Sequence, residues 1–337
     1  MSAQAFLLAA GFGTRLRPLT QDCPKPLVPV CGVPMLDYAL ALLRKNGIHS
    51  AVVNAHWCAP RIQQWADRHL ERSPELRLHV SMELPEILGT GGGLKAVQEQ
   101  LDERFVIVNG DILCDVDLRG LLAGLDTHSA VMALRVLGPA ETYGVVAQDA
   151  EGKVVDLVGL AQTEPLEPVD RSQHFTGVHA LRREVLDRVP EGFACIVRTA
   201  YTELVREGRV GGVPHTGTWF DVGTPQAYLE ANLQALRGAL ALPLDPHAQA
   251  ALYLSEGSRL ERDGSILVGP LWVGESVTIA PGSVVGPEVI LGHGASVQQG
   301  AKLTRTVVWE GCSVPAESAL DRCIVYDGGT LELEPSP

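Results

Sequence analysis

The sequence predicts an α/β domain with a mainly parallel sheet, followed by a left-handed parallel β-helix. Two patterns predict it. Short apolar runs alternate with amphipathic helical segments over the first part of the chain, and later an aliphatic residue recurs every six positions. A stretch with two prolines and little periodicity separates the two patterns. We therefore assign residues 1–240 to the first domain, 241–262 to a linker and 263–337 to the β-helix.

The first domain shows the alternation of strands and helices that is typical of βαβ units. The predicted strands are AFLLAA (5–10), AVVNAH (51–56), LRLHVSMEL (76–84) and FVIVNG (105–110), and the predicted helices are 35–47, 61–70 and 92–101. Sheets of this kind bind ligands at the carboxyl ends of their strands. A glycine-rich loop at 11–13 and Asp111 both follow such ends, so we expect the functional site there.

The C-terminal region repeats with a period of six. The aliphatic positions are Leu267, Val273, Ile279, Val285, Leu291, Val297 and Leu303, then, after a slip of one residue, Val308, Val314 and Leu320. Glycine, serine and proline fill most of the intervals. Each side of a triangular coil places one aliphatic side chain inside, so this period predicts a left-handed parallel β-helix.

Composition and charge exclude several classes of protein. A formal net charge of -13 disfavours a nucleic-acid-binding surface. No apolar run reaches 18 residues, and the apolar N-terminus has no basic leader, so we expect neither a membrane span nor a signal peptide. The seven cysteines form no CxxC pair, which indicates reduced thiols and a cytoplasmic protein.

The segment GFGTRLRPLT directly after the first strand carries the main chemical signal. Glycines allow a backbone to fold tightly around phosphates, whose charge Arg15 and Lys25 could neutralise. A dinucleotide-binding loop would need a third glycine, and a Walker loop would need GK[ST]; neither is present. The segment therefore indicates a phosphate site of another kind.

The stretch LLAAGFGTRLRPLTQDCPKPLVPV (7–30) resembles the signature of the sugar-phosphate nucleotidyltransferases. The resemblance implies a Rossmann-like nucleotide-diphospho-sugar transferase fold for the first domain. It also implies that Arg15 binds and activates the triphosphate and that Lys25 stabilises the transition state. The nucleotide contacts implied for this loop are Ala10, Gly11, Gly13 and Thr14.

Three later segments resemble the same family in order and spacing. LGTGGGLKAV (88–97) is similar to its second glycine-rich loop, which implies contacts from Gly89, Thr90 and Gly91 to the base and ribose. VNGD (108–111) and TWFDVGTPQAYLEAN (218–232) match its two metal-binding segments, which implies Asp111 and Asp221 as ligands to Mg²⁺. Carboxylate oxygens are the hard ligands that magnesium prefers.

The segments expected to bind the sugar resemble those of the family less completely. YGVV (143–146) and FTGVHAL (175–181) resemble family segments that approach the sugar, which implies contacts from Asn109, Gly144, Thr176 and Gly177. The family's E-K-P motif is absent. Glu164–Pro165 is only a fragment of it, and no lysine stands there to bind the sugar phosphate. Arg198 is one candidate replacement.

The resemblance implies conversion of a nucleoside triphosphate and a sugar 1-phosphate into a nucleotide sugar and pyrophosphate. The mannose-1-phosphate guanylyltransferase branch with a hexapeptide-repeat domain is most similar, so GTP and a manno-configured sugar are the expected substrates. Uridylyl transfer to an N-acetylmuramate-like sugar phosphate and a non-catalytic regulatory subunit are the alternatives. Phosphocholine cytidylyl transfer would need an aromatic pocket for which we see no cluster. We expect His293 to be structural and the β-helix to serve as a packing and oligomerisation surface or as a regulatory one, and we expect the protein to be a homo-oligomer.

Overall fold

The computed structural model describes residues 3–162 and 168–334. They form two compact units. The first unit comprises the chain up to Phe12 together with Ala39–Trp219, and the second comprises Gly13–Tyr38 together with the chain from Phe220 onward. Within the described ranges, no helix is both long enough and apolar enough to cross a bilayer. The boundaries 1–240, 241–262 and 263–337 stay a prediction.

Up to residue 124, strands and helices alternate largely as the sequence predicts, whereas the five strands between residues 130 and 182 follow one another with no helix between them in the described residues. The strands are β1 (Gln4–Leu8), β2 (Pro29–Val30), β3 (Val33–Pro34), β4 (Ser50–Ala55), β5 (Arg77–Met82), β6 (Arg104–Asn109), β7 (Ile112–Cys114), β8 (Ala130–Val136), β9 (Val145–Asp149), β10 (Val154–Leu157), β11 (Ala161–Gln162), β12 (Val169–Arg182), β13 (Val210–Pro214) and β14 (Trp219–Asp221). The helices are α1 (Met35–Lys45), α2 (Ala59–Arg72), α3 (Gly89–Ala96), α4 (Leu118–Gly124), α5 (Thr202–Arg206) and α6 (Pro225–Leu236).

One half of the main sheet is parallel, as predicted. Strands β5, β4, β1 and β6 lie side by side in parallel, with Phe6 of β1 opposite Val52 on one side and Ile107 on the other. Each of these three residues is at most 1% exposed. Strands that are covered on both faces are expected to be almost continuously apolar. The segments AFLLAA and FVIVNG fit this expectation.

The other half of the sheet is mainly antiparallel, which the alternation of elements does not predict, and only β13 pairs there in parallel, with β8, among the described strands. The long strand β12 pairs antiparallel with β6, β8 and β9, and β9 continues antiparallel to β10. Helix α3 also differs, since it begins at Gly89 rather than at residue 92 and ends at Ala96. It begins early because the carbonyl of Ala194 accepts the Gly91 and Gly92 N–H groups, and a separate 3₁₀ turn, Gln98–Gln100, follows it.

The second unit contains the predicted β-helix. Its strands are β15 (Leu252–Leu254), β16 (Arg259–Arg262), β17 (Ser265–Val268), β18 (Leu271–Val273), β19 (Thr278–Ile279), β20 (Val284–Val285), β21 (Val289–Leu291), β22 (Ser296–Val297), β23 (Lys302–Thr304), β24 (Thr306–Val308), β25 (Ser313–Val314), β26 (Ala319–Asp321), β27 (Cys323–Tyr326) and β28 (Gly329–Glu332). In the described chain they stack into three sheets, in which successive coils pair in parallel.

The pairing register confirms the period of six and its slip. Val273 pairs with Leu291, 18 positions later, which is three periods of six. Leu291 then pairs with Val308, only 17 positions later, so the coil that contains the slip is one residue shorter. His293 lies in this region. Its Nδ1 accepts a hydrogen bond from the N–H of Glu275 at 3.0 Å, as expected for a structural histidine.

A buried histidine lies in the core of the first unit. His179 of β12 is 2% exposed and hydrogen-bonds through Nδ1 to the hydroxyl of Tyr201, which is fully buried. Burial lowers the pKa of His179 to about 3, from an ordinary value of 6.5. The ring is therefore neutral in the folded chain over a range in which the unfolded chain takes up a proton.

We expect acid to destabilise the fold partly through this residue. From pH 8 to pH 5 the unfolded state gains a proton on His179 and the folded state does not, which lowers the free energy of unfolding by about 2 kcal/mol. His179→Gln retains a hydrogen-bonding group and does not titrate. Urea denaturation at both pH values should therefore show that the free energy of unfolding falls less between pH 8 and pH 5 in the variant than in the wild type. An identical loss for both proteins would contradict the assignment.

Candidate active site

The first glycine-rich loop begins in the first unit and continues in the second. Ala10 and Gly11 follow β1, and apart from Gly11 and its two chain neighbours no described residue has an atom within 4 Å of the place where a β-carbon at Gly11 would lie. Gly13 adopts a left-handed conformation, with φ +61°, before the 3₁₀ turn Thr14–Leu16. A β-carbon there would lie 3.0 Å from Cβ of Lys25, so glycine is required where the loop passes Lys25.

Three charged side chains meet in the second unit. Nζ of Lys25 lies 3.7 Å from Oδ1 of Asp221, and Nη2 of Arg15 lies 3.8 Å from Oδ2 of the same carboxylate. The side chain of Arg15 is 69% exposed, whereas those of Lys25 and Asp221 are 8% and 14% exposed. Two cations thus flank one carboxylate, and the outer cation faces solvent, where it could bind an incoming phosphate.

Asp111 lies in the first unit, just beyond the carboxyl end of β6. Gly110 donates its N–H to the carbonyl of Leu8 at 2.9 Å, which carries the contact between β1 and β6 past the strand ends. Asp111 therefore occupies the edge of the sheet that the sequence predicts for the site. Its pairing with Asp221 as a metal ligand stays a prediction.

The second glycine-rich loop packs against residues 192–196. Gly91 donates its N–H to the carbonyl of Ala194 at 2.8 Å, and the hydroxyl of Thr90 accepts the N–H of Ile196 at 3.1 Å. A β-carbon at Gly89 would lie 2.7 Å from the oxygen of Ala194. Packing alone therefore requires glycine at position 89, and the contacts of Gly89, Thr90 and Gly91 with a nucleotide stay a prediction.

A buried carboxylate, which the sequence patterns did not predict, connects the two glycine-rich regions. Glu83, 1% exposed, accepts hydrogen bonds from Nδ2 of Asn54 and from the N–H of Leu88, both at 2.7 Å. Oδ1 of Asn54 in turn accepts the N–H of Ala9 at 2.7 Å. One hydrogen-bonded chain thus runs from the end of β1 to the start of α3. A polar asparagine inside the apolar strand AVVNAH was the signal available in the sequence.

The residues predicted to contact the sugar lie in the first unit. Asn109 and Gly177 are in close contact, since a β-carbon at Gly177 would lie 2.7 Å from Nδ2 of Asn109. Thr176 is buried, and its hydroxyl donates to the carbonyl of Ala133 at 2.9 Å, so its main chain is the part able to bind another group. Gly144 packs against Val158, with only 2.4 Å between a β-carbon there and the valine side chain.

Aromatic and charged side chains cluster beside Thr176. The ring of His174 stacks on Tyr143 at 4.8 Å and meets Trp219 edge-on at 4.7 Å. Arg135 lies over Trp219, 5.3 Å from its ring centre, and donates to both carboxylate oxygens of Glu141 at 2.7 and 2.9 Å. No aromatic cluster was expected from the sequence, because these residues are far apart in the chain.

This cluster holds the main chain of Thr176. Nε1 of Trp219 donates to the carbonyl oxygen of Thr176 at 2.8 Å. Burial lowers the pKa of His174, so its ring is neutral near pH 7. Burial by itself would raise the pKa of Glu141, but hydrogen bonds from Gly138 and Arg135 outweigh it and hold that pKa below its ordinary value.

Two predicted features remain outside these clusters. Arg198 is exposed on the π-helical turn Val197–Tyr201, and its role at a sugar phosphate stays a prediction. Glu164–Pro165, the fragment of the missing motif, lies outside the described residues.

Comparison with family models gives two matches. Residues 4–238 match the model described as nucleotidyl transferase, and residues 267–332 match the model described as the GMPPB C-terminal domain. These ranges correspond to the α/β region and to the β-helix. The two matches leave out mainly residues 239–266, which lie between α6 and the start of the second match.

Relatives match over nearly the whole chain. The mannose-1-phosphate guanylyltransferase of Mycobacterium tuberculosis is 28% identical over 94% of this chain and 83% of its own length. The UTP–glucose-1-phosphate uridylyltransferase of Synechocystis is 28% identical over 98% of this chain and 91% of its own. The crystal structure of HddC from Yersinia pseudotuberculosis complexed with GMP-PN has a TM-score of 0.54 at 21% identity, covering 68% of this chain and 98% of that one. This last likeness shows a shared fold.

We expect Glu83→Ala to destabilise the protein by about 3 kcal/mol, because the buried Asn54 and the half-buried Leu88 then lose the carboxylate that accepts their hydrogen bonds. The matched control is Glu86→Ala, three residues further along the chain, where the carboxylate is exposed. That change should stay within about 0.5 kcal/mol. Chemical denaturation measures both, and equal stability of the two variants would show that the buried network contributes nothing.

Proposed function

Because the chain belongs to the nucleotidyl transferase family, which its residues 4–238 match, we propose that it transfers GMP from GTP to mannose 1-phosphate. The products are GDP-mannose and pyrophosphate. The observation that carries the choice of substrates is the match with the M. tuberculosis guanylyltransferase over 94% of the chain. The GMPPB C-terminal domain match in the β-helix supports the same branch.

The charged cluster suits this reaction. An oxygen of the sugar phosphate bonds to the α-phosphorus of GTP, and the bond from that phosphorus to the oxygen leading to the β-phosphate breaks. That oxygen leaves with pyrophosphate. Negative charge builds on the transferred group and on the leaving group, so fixed cations accelerate the step. Arg15 is exposed and suited to the triphosphate, while Lys25 is more buried and suited to the reacting phosphate.

The family generally uses a divalent metal ion, and we assign Mg²⁺ to Asp111 and Asp221. What supports this is the donor chemistry, since carboxylate oxygens are the ligands that Mg²⁺ prefers. When bound, the ion would neutralise phosphate charge and orient the triphosphate.

For the nucleotide we assign Ala10, Gly11, Gly13, Thr14, Gly89, Thr90 and Gly91, and for the sugar Asn109, Gly144, Thr176 and Gly177. The sugar assignment is supported by the contact between Asn109 and Gly177 and by the main chain of Thr176, which Trp219 holds. We further propose a cytoplasmic homo-oligomer. The seven cysteines are free thiols, as a reducing compartment requires.

A panel of four nucleoside triphosphates and several sugar 1-phosphates, with pyrophosphate release as the readout, tests the function. The highest kcat/KM should be found with GTP and mannose 1-phosphate. Preference for UTP would overturn the base assignment. Silence across the panel with retained binding of GDP-mannose would identify a regulatory subunit instead.

In the same assay, Arg15→Ala should lower kcat by at least about 100-fold, because the charge that binds the triphosphate is lost. The matched control is Arg17→Ala. This arginine is exposed and lies two residues further along the loop. We expect its kcat within about threefold of the wild type. An equal fall in kcat in the two variants would show that the rate depends on the positive charge of the loop in general and not on Arg15 in particular.

A further inference from the structure

The chain forms a tight hairpin soon after Lys25. The 3₁₀ turn Lys25–Leu27 leads into β2 and β3, which pair antiparallel around the two residues Cys31 and Gly32. Both turn residues have positive φ, at 45° and 71°, as two-residue hairpins require. The N–H of Met35 donates to the carbonyl of Val28 and closes the hairpin. A shift of this hairpin would therefore move the turn that carries Lys25.

The β-helix packs directly on the tip of this hairpin. Trp272 of β18 is fully buried, and a β-carbon at Gly32 would lie 2.2 Å from its ring atom Cη2. Nε1 of Trp272 donates to the carbonyl of Pro246 at 2.9 Å, which fixes the ring in its plane. The indole thus occupies the space that any side chain at position 32 would need.

Helix α6 holds the same tip from another direction. Oδ1 of Asn232, a fully buried residue, accepts the N–H of Cys31 at 2.8 Å, and its Nδ2 donates to the carbonyl of Tyr228 at 2.9 Å. The hydroxyl of Tyr228 accepts Nε1 of Trp309, a β-helix residue, at 2.9 Å. Helix α6 begins four residues after Asp221, the carboxylate that Lys25 approaches.

We propose that Trp272 and Asn232 are positioning residues of the active site, and that the β-helix acts through them to hold Lys25 against Asp221. This inference rests on the proposed function. A nucleophile and cations placed about 1 Å out of line lose much of their effect on the rate. The β-helix therefore contributes to turnover as well as to folding.

Three variants at one contact test the inference. Trp272→Leu removes the ring from Gly32 and should lower kcat at least about tenfold, with KM for GTP and mannose 1-phosphate changed less than threefold. Trp272→Phe keeps a ring on Gly32 and should restore kcat to within about threefold. Gly32→Ala disturbs the contact from the opposite side and should also lower kcat. When it is combined with Trp272→Leu, kcat should fall no further than in the worse single variant.

The control is Leu303→Ala, which removes a buried side chain inside the β-helix, away from the hairpin tip. It should lower the melting temperature and leave kcat of the folded protein unchanged. Hydrogen exchange provides a readout that needs no substrate. The amides of Cys31 and Met35 should exchange at least about tenfold faster in Trp272→Leu than in the wild type.

The outcomes separate the two proposals. If the wild type transfers no nucleotide, the proposed function fails, and hydrogen exchange still decides whether Trp272 holds the hairpin. Unchanged exchange at Cys31 and Met35 in Trp272→Leu would overturn the inference. So would faster exchange accompanied by an unchanged kcat, because the hairpin would then not determine the position of Lys25. The inference would also fail if Leu303→Ala lowered kcat as much as Trp272→Leu does, because the loss would then follow from general destabilisation of the β-helix.

Discussion

The carboxylate of Asp221 between Lys25 and Arg15 is the interaction on which the rest of the site depends. Lys25 is almost fully buried, and a buried ammonium group is costly without a nearby negative charge. Asp221 supplies that charge, and Arg15 on its other side extends the cationic surface to solvent. This arrangement suits the transfer of a nucleotidyl group. The cations are held in fixed positions, where they can neutralise the negative charge that develops on the phosphates during the reaction.

Holding that cluster explains how the second unit is built. The loop of Gly13–Tyr38 belongs to the same compact unit as the chain after Phe220, although some 180 residues separate them. The hairpin after Lys25 lies on Trp272, and α6, which follows Asp221, reaches the hairpin through Asn232. A mobile loop could carry the same residues but would not hold them in place. In our proposal the β-helix is thus part of the support of the site.

The sequence predicted local elements and repeats well, because each depends on residues that are close in the chain. The parallel strands and the period of six with its slip at Leu303 are confirmed. Interactions between distant residues were missed. Glu83 with Asn54, and Tyr143 with His174 and Trp219, come together only through the fold, and no spacing rule relates them. The antiparallel pairing of β12 was missed for the same reason.

The most direct test of this account is the turnover of Asp221→Asn with GTP, mannose 1-phosphate and Mg²⁺. This change keeps the shape of the side chain and removes the charge that Lys25 and Arg15 share. The matched control is Asp22→Asn, an exposed carboxylate three residues before Lys25. The account predicts that kcat of Asp221→Asn, folded by circular dichroism, falls at least about 100-fold, while the control stays within about threefold. A kcat for Asp221→Asn equal to that of the wild type would contradict it.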